Sequence, residues 1–253
     1  MIEVDRIRKS FGRTLAVDDV SFKVDDGEIY GLLGPNGSGK STTLKIITGM
    51  LYSMRGRVVI DNVDVEMEPN RAKQIIGYVP ESTDLYDSLT PVDLFNMIGS
   101  IRGIPSSRLQ SRARYFIDAF KIDRYLNQYI GTLSFGNKQK VSIISALLHD
   151  PSVIIMDEAM NGLDPKMARI LREILFEYKN RGKSIVFSTH VLPLAEMICD
   201  RLGLINEGRI IAEGTIDELK EKSRQSNIED VFLELTESKD EVYSVVEALK
   251  NNG

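Results

Sequence analysis

The chain has 253 residues, enough for one large domain or two small ones, with 42% hydrophobic and 27% charged residues, so a sizeable core is available. A net charge of −5 gives no general electrostatic pull toward nucleic acid. The single cysteine, Cys199, excludes an internal disulfide and suits a reducing compartment.

The first third predicts strands. Ile2-Glu3-Val4 alternates, and Val20-Ser21-Phe22-Lys23-Val24 alternates more clearly. Asp25-Asp26-Gly27 is a turn before the apolar run Ile29-Tyr30-Gly31-Leu32-Leu33. A glycine-rich loop follows, then Leu44, Ile46 and Ile47 predict a short helix that Gly49 ends. Arg57-Val58-Val59-Ile60 reads as a strand entering an Asp61-Asn62 turn, and residues 75–79 form another apolar run stopped by Pro80. From 90 to 129 the apolar residues take helical spacing: Leu94, Met97, Ile98 and Ile101, then Ala113, Phe116, Ile117 and Phe120. That spacing predicts a helical insert.

Strand and helix then alternate to about Leu219. Residues 152–156 read as a buried strand, and Asp164-Pro165 as a helix start with Asp at the cap and Pro in the first turn. Residues 184–187 predict a strand and 191–198 a helix. Residues 202–205 and 209–211 predict edge strands. This alternation implies a mainly parallel sheet covered by helices. From about Lys222 the chain is more charged. Residues 230–235 predict a strand, and Val242, Val245, Val246 and Leu249 one side of a helix. No apolar run approaches the roughly 18–20 residues that span a bilayer. The start, MIEVDRIRKSFG, lacks the apolar core of a signal peptide. Work at a membrane would therefore run from the cytoplasmic side, through a partner.

The loop is Gly34, Pro35, Asn36, Gly37, Ser38, Gly39, Lys40, Ser41 and Thr42. Its first eight residues fit G-x-x-x-x-G-K-[ST]. Glycines let successive N–H groups turn inward around a phosphate, and the helix beginning near Lys40 adds the positive end of its dipole. Lys40 is placed for the β- and γ-phosphates of a nucleotide, Ser41 for Mg²⁺ and Thr42 for the α-phosphate. The strand at 152–156 ends in Asp157-Glu158. Two acids at the end of a buried strand are costly unless they meet positive charge. Asp157 suits Mg²⁺. Glu158 suits a general base that polarises water toward the γ-phosphate.

With Leu133-Ser134-Phe135-Gly136-Asn137 added, the order of motifs resembles the ATP-binding subunit of an ABC transporter, from Phe11 to about Leu219. The resemblance implies an α/β fold: a phosphate-loop NTPase core with a mainly parallel sheet, an N-terminal antiparallel β-subdomain and an α-helical subdomain insert. It implies an ATP-binding domain over 1–223, with the insert at about 82–150, and a small C-terminal extension over 224–253. Phe11 stands where the family stacks an aromatic on adenine, with a core position as the alternative. Glu81 stands where the family places a metal-contacting glutamine. Residues 133–137 match the signature, Met156-Asp157-Glu158 ends the Walker B strand, Asn161-Gly162-Leu163-Asp164 matches the D-loop, and His190 the switch histidine that contacts the γ-phosphate. Ser134, Gly136 and Asp164 would then face ATP held by a second ATP-binding subunit, either a copy of this chain or a relative. A membrane-spanning permease would be the other partner, placing the chain on the inner face of the cell membrane.

The sequence departs from that pattern in places. Phe135 and Asn137 replace a glycine and a glutamine of the signature, Glu81 adds negative charge beside the metal position, and Asn161-Gly162 replaces Ser-Ala. The stretches Gly-Tyr-Val-Pro-Glu and Asn-Gly-Leu-Asp-Pro resemble exporter-type members. Two other readings stand beside the transporter motor: a soluble ATPase of the same family acting in assembly or regulation, and a module that holds ATP without hydrolysing it. Plainer roles suit other residues: His149 at a helix C-terminus, Cys199 as a small buried hydrophobe, and Lys220-Glu221-Lys222 as a solvated helix face.

Overall fold

The computed structural model describes residues 1–223 and 227–236. β1 (Ile2–Phe11) and β2 (Thr14–Val24) form an antiparallel hairpin, longer than the short alternating runs predict. β3 (Ile29–Leu33) leads through the glycine loop into α1 (Lys40–Ile47). β4 (Arg55–Ile60) turns at Asp61-Asn62 into β5 (Val63–Asp64). Both turn residues are left-handed, φ 47 and 63, which suits a tight hairpin and short polar side chains. β1 pairs with β4, giving an antiparallel sheet of order β2-β1-β4-β5.

The apolar run at 75–79 is β6 (Ile76–Val79), preceded by α2 (Pro69–Ile75). The sequence pattern does not predict that helix, because only its Ala72 is buried and it carries almost no apolar stripe. The helical insert holds α3 (Pro91–Ile101), α4 (Ser106–Phe120) and α5 (Phe135–Leu147). A Thr90–Asp93 capping box starts α3.

β7 (Val153–Asp157), α6 (Pro165–Asn180), β8 (Ser184–Thr189), α7 (Leu192–Ile198), β9 (Arg201–Asn206), β10 (Arg209–Thr215) and α8 (Ile216–Ser223) complete the alternation. The second sheet has the order β10-β9-β3-β8-β7-β6; β9 to β6 run parallel and β10 antiparallel. Two expectations are corrected here. β9 is not an edge strand: it lies between β3 and β10, and Leu202, Leu204 and Ile205 are buried. Residues 230–235 are not a strand but part of α9 (Ile228–Leu235). The Asn227 side chain accepts from Asp230 N at 2.8 Å and caps it, and Ile228 and Val231, one turn apart, are buried. The helix predicted around Val242 lies outside the described residues.

The parallel strands are buried on both faces. Ile154, Met156, Ile185 and Phe187 pack toward the helical side with α5, α6 and α7. Val153, Ile155 and Val186 pack with α1 and the antiparallel sheet. The β3 and β7 C-terminal ends are thereby fixed side by side across β8, where loops emerge. Ile228 and Val231 join the helical-side core.

Candidate functional site

Leu33 ends β3 and Lys40 begins α1, so residues 34–39 must turn the chain sharply. Gly39 caps α1 at φ 106, and a Cβ there would lie 2.4 Å from Ala16 O, so only glycine fits. Lys40 is buried, and its Nζ donates to Gly34 O at 2.8 Å and Pro35 O at 3.1 Å. Burial pushes its pKa down, opposed by the charges of Glu158, Asp157 and Glu81.

β7 brings two acids to the same place. Asp157 is 1% exposed, and its Oδ1 accepts from Ser188 Oγ at 2.6 Å. Ser188 is its register partner on β8. Glu158 is 5% exposed and adopts φ 49, a strained conformation for a residue with a side chain. Its backbone N donates to Ser188 O at 3.2 Å, which holds the turn. Glu158 Oε1 lies 3.8 Å from Lys40 Nζ and accepts from His190 Nδ1–H at 2.9 Å. Since a carboxylate only accepts, that contact puts the proton on Nδ1. Asn161 Nδ2 reaches Glu158 Oε2 at 3.5 Å.

A cleft of ≈ 300 Å³ is lined by Ala16, Asn36, Gly37, Gly39, Lys40, Ser41, Thr42, Glu81 and Glu158. The structure thus brings together the glycine loop, Glu81 and Glu158, with Asp157 and His190 adjoining. Phe11 does not line the cleft. It is half exposed near the tip of the β1–β2 hairpin, with Lys9 Nζ 5.8 Å from its ring, so the core alternative fails. Ser134 caps α5 without a side-chain bond, and Asp164 Oδ1 caps α6 through Lys166 N and Met167 N at 3.0 Å. Ser134, Gly136 and Asp164 are absent from the cleft lining within this one chain.

Three neighbours escaped sequence reasoning. Ser188 needed the β7–β8 register. Ala16 needed the hairpin's approach to Gly39. Phe232 of α9 lines a second cleft of ≈ 270 Å³ with Leu33, Pro35, Asn36, His190 and Leu192. The plainer assignments also find their places. His149 is largely buried, its Nε2–H donating to Ile76 O at 3.0 Å. Cys199 is buried, which pushes its thiol pKa well up. Lys220 pairs with Glu196 at 2.9 Å and so is not merely solvated. Among the described residues no helix is long and apolar enough to cross a membrane.

A hard-oxygen set beside a lysine within a glycine loop is chemistry for a phosphorylated ligand. Comparisons with known proteins agree. The family model "ABC transporter" matches residues 17–161. An uncharacterized ABC transporter ATP-binding protein of Methanocaldococcus jannaschii is 37% identical over 221 residues, covering 87% of this chain and 80% of that one. The linearmycin resistance ATP-binding protein LnrL of Bacillus subtilis is 33% identical, covering 87% and 70%. Among solved structures, an ATP-binding subunit of an ABC transporter superposes with a TM-score of 0.89 at 33% identity, covering 93% of this chain and 99% of that one. A dimeric ATP-binding cassette in a post-hydrolysis state, bound to ADP and Pi, superposes with a TM-score of 0.77 at 25% identity, covering 85% and 98%. The chain belongs to the ABC transporter family, as an ATP-binding subunit with ATPase activity.

Proposed function

We propose that this subunit binds ATP in the cleft at the glycine loop and hydrolyses it with Glu158 as general base. The observation that carries this reading is the meeting of Lys40, Glu158 and His190 at the end of β7. The backbone amides of the loop and the start of α1 cradle the phosphates, and Lys40 exchanges its two carbonyl partners for phosphate oxygens. Glu158 takes the proton of the attacking water. Its strained turn and the Ser188 contact hold the backbone beneath it, while His190 orients the carboxylate and faces the γ-phosphate.

Ser41, Asp157 and Glu81 fit Mg²⁺, because all three offer hard oxygens and Ser188 already orients the buried Asp157 carboxylate. The ion supplies charge neutralisation at the phosphates when bound. Phe11 stacks on adenine from the hairpin. Ser134, Gly136 and Asp164 complete the ATP site of a second subunit, which is why they are absent from the lining of their own cleft.

ATP then closes a dimer and hydrolysis opens it. We place residues 1–223 in the ATP-binding domain, with the helical insert at about 82–150, and 224–253 in the C-terminal extension. A membrane-spanning permease takes up the motion at a groove of ≈ 430 Å³ between the sheet and the insert, lined by Met50, Tyr78, Leu85, Ile98, Ile101 and Arg102 among others. Met50 and Ile101 are 58% and 69% exposed there, ready to be covered by an apolar helix. The exporter-type motifs and the resistance relative favour export from a cytoplasmic position at the inner face of the membrane.

The test is to tag the Glu158→Gln chain, extract it gently from native membranes with ATP, and identify what accompanies it. A multi-spanning membrane protein at equal stoichiometry supports the transporter motor. Recovery with soluble proteins alone transfers the reading to an assembly or regulatory ATPase.

A further inference from the structure

Two of the departures from the family pattern touch each other. Phe135 opens α5, and Gly162 lies in the turn between β7 and α6. A Cβ on Gly162 would lie 2.3 Å from Phe135 Cε1 and 2.4 Å from Phe135 Cδ1, far inside any permitted contact. Gly162 also has φ +76, a left-handed conformation that glycine adopts freely. The phenyl ring, itself 51% exposed, therefore rests on bare backbone, and an alanine at 162 would make either the ring or the turn give way.

The same turn is fastened to α5 at two more points. A Cβ on Gly136 would lie 2.7 Å from Gly162 O, so those backbones are in close approach. Gln139 is 1% exposed, and its Nε2 donates to Ala159 O at 2.8 Å. Inside the turn, Asn161 N donates to Glu158 O at 3.0 Å, and Leu163 N to Met160 O at 3.2 Å. The path from Glu158 to Asp164 is thus held by β7 and α6 at its ends and by the first turns of α5 along one side.

We propose that Phe135 and Gly162 are an interlocked positioning pair for ATP hydrolysis. The ring sets the height of the turn above α5, the turn sets Asn161, and Asn161 with the strained backbone sets the Glu158 carboxylate. The large residue in the signature and the small one in the turn are matched to each other. This inference rests on the reading of Glu158 as the base. Neither Phe135 nor Gly162 lines the glycine-loop cleft of its own chain, so the pair acts on turnover rather than on nucleotide binding by the single chain.

The test is a double-mutant cycle on the full chain: wild type, F135A, G162A and F135A/G162A, with kcat, KM for ATP, nucleotide Kd by calorimetry, and Tm. G162A is expected to lower kcat at least about tenfold with Kd unchanged, and the cycle to show a non-additive difference of the size found for residues in contact. F135A/G162A is expected to recover above G162A and to within about threefold of F135A, the remainder being the cost of alanine at positive φ. G162N and F135A/G162N repeat the cycle with a residue that tolerates that backbone, so a folding defect in G162A does not decide the outcome. A wild-type kcat in both Gly162 variants, or a loss that F135A fails to relieve, overturns the pair. Normal turnover in Glu158→Gln would instead overturn the base assignment and leave the contact coupling of the cycle readable.

Discussion

Acidification from pH 7 to 5 tests how His149 is held. Its Nε2–H donates to Ile76 O, and its Nδ1 is buried with no partner. Protonation would place a second N–H on Nδ1 in a site that offers it nothing. Burial is the main cause that lowers its pKa from 6.5 to about 4; Arg102 and Arg112 add repulsion, while the Ile76 carbonyl and Asp150 oppose the shift. The folded chain therefore binds this proton only near pH 4, whereas the unfolded chain binds it near 6.5. Between those values the unfolded state holds more protons, so stability falls as pH falls. The full gap corresponds to about 3.4 kcal/mol, reached below pH 4, and about 2 kcal/mol is already lost at pH 5.

The assay is urea unfolding of wild type and His149→Gln at pH 7, 6 and 5. Glutamine keeps an amide donor near the Nε2 position and cannot titrate, so the other ionisable groups cancel in the difference. Wild type should lose about 2 kcal/mol more than the variant between pH 7 and 5. Parallel curves, within about 0.5 kcal/mol, would refute the buried neutral imidazole.

Other expected outcomes are independent of this one. Lys40→Ala should weaken nucleotide binding at least about tenfold by calorimetry, because a charge-assisted phosphate contact is lost; unchanged affinity would reject the placement of Lys40. Arg112→Ala should lower stability by about 2–3 kcal/mol in chemical denaturation. Its guanidinium donates to Leu148 O at 2.8 Å, Leu147 O at 2.7 Å and Tyr178 Oη at 2.6 Å, tying α4 to the end of α5 and to α6. Ser188→Ala should lower kcat by about tenfold or more with a smaller change in nucleotide Kd, since it frees the Asp157 carboxylate and leaves ATP contacts in place; a change confined to Kd would contradict that role.

The phosphate loop was legible because its chemistry is local: glycines, a lysine and a hydroxyl at fixed spacing between a strand and a helix. Asp157 and Glu158 were legible for the same reason, as polar ends of an apolar run. What the sequence hid depends on contacts between distant segments. Ser188 meets Asp157 only through the β7–β8 register, and β9 becomes interior only because β10 folds back beside it. α9 reads as a strand in the sequence because Val231, Phe232, Leu233 and Leu235 satisfy both periods at short length, and the cap at Asn227 settles it. The fit between Phe135 and Gly162 was hidden too, since each alone looks like a local departure.

Phosphate release by Glu158→Gln is the most direct measurement, with nucleotide affinity and dimer formation recorded on the same preparation. Turnover should fall at least about 100-fold while ATP still binds and an ATP-dependent dimer accumulates. Turnover close to wild type in that variant would contradict Glu158 as the base.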